Sequence, residues 1–452
     1  MSSITDVYSP RTTFRCTRLR GAKVGGSVCQ FCAVGCSQLG FFKDGKLIDV
    51  EGDPRSSVNE GRLCPKGSST YALNENPYRK VKPMYRAPGS DHWKEVSLDW
   101  MLDTVAKRIW ETRNKGFVEK DPKTGITVNN CANIGFIGGS ANDNEECYLF
   151  RKLFTGGLGI LPVENSARYC HSTTVCALSP TFGFGACTNP PRDLLNSDCI
   201  LIMGSNMAEA HPCAFYWPMQ AKKKGTVTIH VDPRYTRTSA ACDHHVHIRP
   251  ETDIAFLSGI IRYLLEKDLW FKEYVLAYTN PNFNFDDATG LFNGWDPVTR
   301  SYSKEPNSWD YEYEINPDGS RGAPKTDPTL QNPRCVFQLL KKQVAKYTPE
   351  AVANICGCRP CDIVKVAELL AQNSGPDKTS AFCYATGFTQ HSAGTQIIRT
   401  CAILQTLLGN IGRPGGGILA LRGHSNVQGA TDIPTLFAEL PNYIPLPKIA
   451  EG

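Results

Sequence analysis

The sequence predicts an α/β protein, with a small cysteine-rich module followed by Rossmann-like open parallel sheets. Three observations carry this expectation. Cys29, Cys32, Cys36 and Cys64 have the spacing of ligands to an inorganic centre. Short apolar runs end repeatedly in glycine- or aspartate-bearing corners, at Gly138, Gly204, Asp232 and Gly387, as the strands of a ligand-binding α/β sheet do. A hydrophobic content of 41% and a charged content of 21% over 452 residues are those of a globular chain of about three domains.

The net charge of +5 is mild for this length. It argues against a nucleic-acid partner and suits a cofactor carrying phosphates. Nineteen cysteines, an odd number in a chain too long to need disulfide staples, point to a reducing compartment with metal-bound and free thiols. No apolar run approaches the roughly 20 residues of a membrane span. The start, Met1-Ser-Ser-Ile-Thr-Asp6, lacks a basic region, an apolar core and a twin-arginine pair. The expectation is a cytoplasmic protein without direct membrane insertion.

Residues 1–85 form the first expected domain. Cys29, Cys32 and Cys36 wrap one face of a centre, and Cys64 closes it after 27 intervening residues. Four thiolates suit a [4Fe–4S] cluster or zinc, although zinc sites more often use two matched Cys-x2-Cys pairs. Gly35 and Gly25-Gly26 are expected to let the backbone pass close to the inorganic core. Strand-like runs lie at 39–42 and 46–50, with a turn at 51–54. Lys66, in Gly61-Arg-Leu-Cys-Pro-Lys-Gly67, follows the fourth cysteine by two positions.

Residues 86–162 read as the first part of a nucleotide-binding α/β domain, continued by 423–452. Trp100 to Thr112 has helical periodicity, with Leu102, Val105, Ala106, Ile109 and Trp110 on one side. Asn133 to Ile137 reads as a buried strand, Gly138 to Asn142 as a corner or plain tight turn, and Asn144 to Phe154 as a helix.

Residues 163–422 form the central α/β domain. Strands at 199–203, 227–231 and 380–384 lead into Gly204-Ser-Asn-Met-Ala-Glu209, Asp232-Pro-Arg234 and Gly387-Phe-Thr-Gln390. Glycine permits close approach of a pyrophosphate, and an acidic residue can bond a ribose or a guanine edge. Thr252 or Asp253 caps the helix that begins at Ile254. Lys222 to Lys224 form a solvated face. Residues 275–335 are a polar insertion without a sustained period. Cys356, Cys358 and Cys361 have no fourth ligand nearby and read as free thiols. Cys176, Cys187 and Cys213 read as small core residues. Ser392 to Gly409 is an amphipathic helix, followed by a glycine-rich loop that reaches Arg422.

The segment around Cys170-His171 directs the function. A thiolate suits a soft metal, and an imidazole moves protons near neutral pH. Adjacent side chains point apart, so one faces a metal and the other a substrate. Arg168-Tyr-Cys-His-Ser172 resembles the active-site segment of molybdenum- or tungsten-dependent formate dehydrogenases, and the Cys64-Pro-Lys66 tail resembles the same superfamily of pterin-guanine-dinucleotide oxidoreductases. Arg422-Gly-His-Ser-Asn-Val-Gln-Gly429 resembles the segment that supplies their formate-binding arginine.

The resemblance runs from about Arg18 to Pro447. It implies a [4Fe–4S] cluster on Cys29, Cys32, Cys36 and Cys64, and a bis-molybdopterin guanine dinucleotide carrying Mo or W, with Cys170 as protein ligand. His171 would handle the proton, Arg422 would orient formate, and Lys66 would lie between cluster and pterin. Gly204, Asn206, Glu209, Asp232, Arg234, Thr252, Asp253, Gly387 and Gln390 would hold the dinucleotides. The implied reaction is formate oxidation to carbon dioxide or its reverse, with electrons leaving through the cluster to an iron–sulfur electron-transfer subunit. A nitrate-reductase-like enzyme and a non-catalytic relay subunit like that of respiratory complex I are the alternatives. Cysteine stands at position 170 where relatives often have selenocysteine. Relatives also run on for several hundred residues beyond the equivalent of Gly452, so a separate polypeptide is expected to supply a C-terminal half.

Overall fold

A computed structural model describes residues 18–286 and 310–433, with short pieces at 2–3, 295–296, 301–302, 435–436, 439–441 and 444–445. Much of the polar insertion (287–294, 297–300 and 303–309), most of the first 17 residues and the end at 446–452 lie outside the described residues. The chain divides into two compact units. Unit 1 comprises Met1–Ser172, His211–Ala214 and Leu421–Gly452; unit 2 comprises Thr173–Ala210 and Phe215–Ala420.

Unit 1 opens with the antiparallel strands β1 (Lys23–Val28), β2 (Ser37–Lys43) and β3 (Lys46–Gly52). Alternation puts Val24, Leu39 and Phe41 in a small core with Leu19 and Ala22. Gly25 and Gly26 pair with Gly40 and Leu39 inside β1. They are therefore strand residues, in the strand that leads to Cys29. Gly35 does lie in the cysteine loop, at φ +71°, and the Cys29 amide donates to the Cys36 carbonyl (2.8 Å) to close that loop.

Helix α1 spans Leu98–Gly116, with the Ser97 side chain accepting from the Trp100 amide. It has the expected apolar positions, yet none of its residues is buried, and Trp110 is 60% exposed. Strand β4 (Phe136–Gly138) is shorter than the run at 133–137. It leads to α2 (Asn144–Arg151), which a reciprocal Asp143–Glu146 capping box starts. Strand β5 (Val163–Asn165) pairs with β4 in parallel. Ile137 is 82% exposed, because this two-stranded sheet is uncovered where the sequence predicted a buried strand. Helix α3 (Ser166–Phe182) follows and breaks at His171, whose φ of −137° is non-helical.

Unit 2 is built on a five-stranded, wholly parallel sheet. Its strands are β6 (Cys199–Met203), β7 (Val227–Val231), β8 (His244–Val246), β9 (Ser380–Tyr384) and β10 (Gly417–Ala420), in the order β8-β7-β6-β9-β10. The first strand lies mid-sheet and the order reverses there, so the β6–β9 boundary is a topological switch point, where such sheets bind ligands. Continuous apolar runs suit strands covered on both faces: every residue of β6 and β9 is buried. Helix α4 (Asp253–Glu266) is the central packing element. It buries Phe256, Leu257, Ile260, Ile261 and Leu264 against α5 (Pro349–Cys356), α6 (Pro360–Gln372) and α7 (Gly394–Leu407). Each such side chain contributes about 1.5–3 kcal/mol on burial.

Candidate active site

The four expected cluster ligands are neighbours in unit 1. Cys29 and Cys36 are buried together with Phe31, Val34, Leu63 and Cys64, and the charges of Cys29 and Cys64 act on Cys32. Burial pushes the Cys29 and Cys32 thiols up, while Lys66 pulls Cys32 back down. Lys66 itself is exposed on the short helix Pro65–Ser68. Among the described residues no three His, Cys, Asp or Glu side chains converge as a single ion requires. A cubane carries its thiolates on separate irons, so four adjacent thiols that do not meet at one point fit it.

A second group in the same unit surrounds Cys170. Its half-buried sulfur accepts a hydrogen bond from the Gly423 backbone, and burial raises its pKa while the Arg422 guanidinium opposes the rise. The kink in α3 turns His171 into the interior, where it is fully buried. Burial first, then the charges of Arg422 and His211, push its pKa down to about 3 against a hydrogen bond to the Leu421 backbone. Arg422 is only 6% exposed. A buried guanidinium beside a thiol and a neutral imidazole is a site for a small anion.

The loop after Arg422 is held from three sides within unit 1. The Gly423 carbonyl accepts from the Ala33 amide of the cysteine loop (3.0 Å). His424 Nδ1 lies 2.8 Å from Ser140 Oγ, which also bonds Ser166 Oγ at 2.7 Å. Asn426 donates to the Asn142 carbonyl (2.7 Å). The Gly138 to Asn142 corner thus braces the Arg422 loop and the start of α3 together. Asn165, fully buried, does the same from β5 by donating to Thr435 and accepting from the Ala167 amide.

Sequence reasoning missed His211. Its Nε2 meets the Arg422 carbonyl at 2.6 Å, and its buried Nδ1 has no hydrogen-bond partner among the described residues. Burial lowers its pKa, and the Lys66 charge lowers it further. His211 therefore stands near both Lys66 and Arg422. Its available signal was the His-Pro pair closing the corner that begins at Gly204.

The remaining expected cofactor residues lie together at the carboxyl edge of the unit 2 sheet. Gly204 (φ +68°) follows β6, and Gly387 follows β9. Their backbones touch: a Cβ on Gly387 would lie 2.6 Å from both Gly204 Cα and O. Asn206 donates to Glu209 and accepts from Thr238 Oγ1 (2.9 Å), while Glu209 also pairs with Arg237 (3.5 Å). Asp232 accepts from the Arg234 amide (2.8 Å). Thr252 is the N-cap of α4, but its hydroxyl donates to the Arg249 carbonyl (2.7 Å) and caps nothing. Asp253 is buried, and desolvation raises its pKa, with the Asp232 and Glu251 charges adding to the rise and His391 opposing it. Gln390 is exposed at the end of the turn after β9.

One thiol expectation changes: Cys176 is exposed on α3, so it is not a core residue. Cys213 is buried as expected, and its neighbours are Cys29, Cys36 and Cys64. Cys356 and Cys358 hydrogen-bond each other at the end of α5, and Cys356 Sγ also meets the Thr252 carbonyl at 3.5 Å. No described helix is long and apolar enough to cross a membrane.

Residues 79–444 match the family model "Molybdopterin oxidoreductase", and residues 22–76 match "Molybdopterin oxidoreductase Fe4S4 domain". The chain is 48% identical over 429 residues to the formate dehydrogenase subunit alpha of Megalodesulfovibrio gigas, covering 94% of this chain and 42% of that one. It is 45% identical over 435 residues to the formate dehydrogenase-O major subunit of Escherichia coli, covering 93% and 42%. Its fold resembles that of acetylene hydratase from Pelobacter acetylenicus, with a TM-score of 0.61 and 21% identity over 87% of this chain and 44% of that chain. The chain spans less than half the length of these relatives.

Proposed function

The chain belongs to the molybdopterin oxidoreductase family, and from that premise we propose that it is the cluster- and metal-binding part of a formate dehydrogenase or carbon dioxide reductase. The observation that carries this reading is the convergence of Cys170, His171 and Arg422 in the unit that also gathers Cys29, Cys32, Cys36 and Cys64.

Arg422 binds the formate carboxylate through two charge-assisted hydrogen bonds and aims its C–H bond toward Cys170. Its loop is fixed by His211, Ser140 and Asn142, so little ordering remains to be done when the anion binds. Cys170 supplies the thiolate ligand. His171, neutral at rest because of its burial, handles the proton in this reading. Lys66, between Cys32 and His211, keeps positive charge on the route to the cluster. A bound pterin metal, molybdenum or tungsten, supplies the two-electron acceptor.

In the same reading Asp232 and the buried Asp253 accept hydrogen bonds from a guanine edge. Gly204, Asn206, Glu209, Arg234, Thr252, Gly387 and Gln390 line the dinucleotide path beside the switch point. Residues 1–85 serve the cluster, 86–162 with 423–452 begin a nucleotide-binding layer, and 163–422 carry the central domain. The uncovered apolar face of α1 and β4 is a docking surface for further protein of the catalytic assembly, and an iron–sulfur subunit takes the electrons. The cysteine usage of the sequence, nineteen thiols in a chain too long to need disulfide staples, supports a reducing, cytoplasmic setting.

Cys170→Ser tests the assignment. Formate turnover should disappear while the cluster signal stays intact, because serine removes the soft ligand but leaves the cysteine module untouched. Retained turnover would remove Cys170 from the site.

A further inference from the structure

One ring nitrogen of His211 remains without a role in formate binding. The ring is 5% exposed and belongs to the short stretch, residues 211–214, that leaves the middle of the chain and joins unit 1. Its Nε2 lies 2.6 Å from the Arg422 carbonyl oxygen. A carbonyl only accepts, so Nε2 carries the ring proton and donates it. Burial lowers the pKa of the imidazole and keeps it neutral, which leaves Nδ1 as a lone pair. That Nδ1 is buried and has no hydrogen-bond partner among the described residues. The next residue is Pro212, which has no N–H to offer it. A buried acceptor in this state is costly, and native proteins leave few of them unsatisfied. Lys66 is close enough for its charge to act on the ring.

We propose that His211 is a pterin contact: its Nδ1 accepts a hydrogen bond from an N–H on the rim of the bound pterin, while its Nε2–H holds the Arg422 carbonyl. This rests on the proposed function, in which a pterin is expected beside Lys66. The pterin bicycle carries amide-like and amino N–H groups along its edge, so it offers the kind of donor that Nδ1 lacks. The ring keeps its proton on Nε2 throughout, and no proton changes hands. Because the imidazole is rigid, its two nitrogens stay at a fixed separation. One side chain therefore sets the cofactor and the formate-binding arginine in register with each other, and the two nitrogens can be separated by substitution.

The test uses the cofactor-loaded complex and its His211→Gln and His211→Asn variants. Glutamine places an amide N–H where Nε2 stands and offers no acceptor at Nδ1. Asparagine places a carbonyl oxygen where Nδ1 stands and offers no donor at Nε2. Two quantities are read: KM for formate, and the rate at which pterin leaves the complex on incubation, followed by the fluorescence of oxidised pterin in a protein-free filtrate. His211→Gln should lose pterin about twofold to tenfold faster, the worth of one net hydrogen bond, with KM unchanged. His211→Asn should keep the wild-type release rate while KM rises by about the same factor. A wild-type release rate in His211→Gln overturns the proposal. Equally fast release from both variants also overturns it, since the ring would then matter only as packing. Where the glutamine variant does not assemble, asparagine decides alone: wild-type release supports the proposal and faster release overturns it. A wild-type complex that yields no pterin overturns the cofactor assignment itself, and the proposal with it.

Discussion

Arg422 stands in a glycine-rich loop, between Gly415-Gly-Gly417 and Gly423. A guanidinium in a glycine-rich loop ordinarily faces solvent, yet this one is buried with its carbonyl held by His211. Lysine keeps the charge but loses the planar fork. Arg422→Lys should lower kcat/KM for formate by about 10- to 100-fold, the worth of one charge-assisted hydrogen bond. Steady-state kinetics checks this, and an unchanged kcat/KM would place the formate site elsewhere. The Cys170-His171 pair and Arg422 were legible because each lies in a recognisable segment. His211 and Cys213 were not, because nothing in a linear reading says that four residues leave one unit to join another.

A second residue-scale prediction concerns His230 in β7. It is fully buried, with Nδ1 2.8 Å from Ser239 Oγ and Nε2 3.1 Å from the Ser205 carbonyl. Burial holds its pKa below the ordinary 6.5, against the opposing Asp232 charge. A depressed folded-state pKa means the unfolded chain takes up the proton first. Its contribution to stability is complete above about pH 6.5 and is lost as pH falls toward the folded value. Thermal unfolding followed from about pH 7.5 to about pH 5.5, above the carboxylate range, should show a falling Tm. His230→Asn should flatten that slope, and an equally steep slope in the variant would contradict the assignment.

At the scale of elements, glycine does two different things. Gly387 and Gly204 let adjacent strand ends cross at the switch point, with Gly387 donating its amide to the Gly204 carbonyl (3.0 Å). Gly387→Ala forces a Cβ into backbone and should cost about 1–3 kcal/mol, seen as a lower Tm. Gly26 has open space within 4 Å of an added Cβ, so Gly26→Ala should leave both Tm and cluster content unchanged. Iron lost from that variant would place Gly26 against the cluster. The long apolar strands β6, β7 and β9 were legible to the residue, since a buried parallel strand is a continuous apolar run. Strand β8 was not, because three residues, two of them histidine, make no pattern.

Across the whole molecule, the two units differ in how completely they are covered. Unit 2 closes a core from β6 through α7. In unit 1, Leu98, Leu102 and Val105 on α1 are exposed, as are Ile137, Leu149 and Leu153. Apolar area on this scale marks an interaction surface. Amphipathic periodicity announced the face of α1 but not what covers it, which is why burial was expected and not found. Leu102→Glu with Val105→Glu should weaken co-purification of protein that docks on this face while leaving the cysteine module loaded. Undiminished co-purification would move the docking surface off α1.

The most direct measurement is formate-dependent dye reduction by the complex purified from its native source, with every co-purifying chain retained and its metal content verified. The account predicts reduction of dye with formate as the only donor, and a co-purifying iron–sulfur electron carrier. An intact, metal-loaded complex that reduces no dye with formate would contradict it.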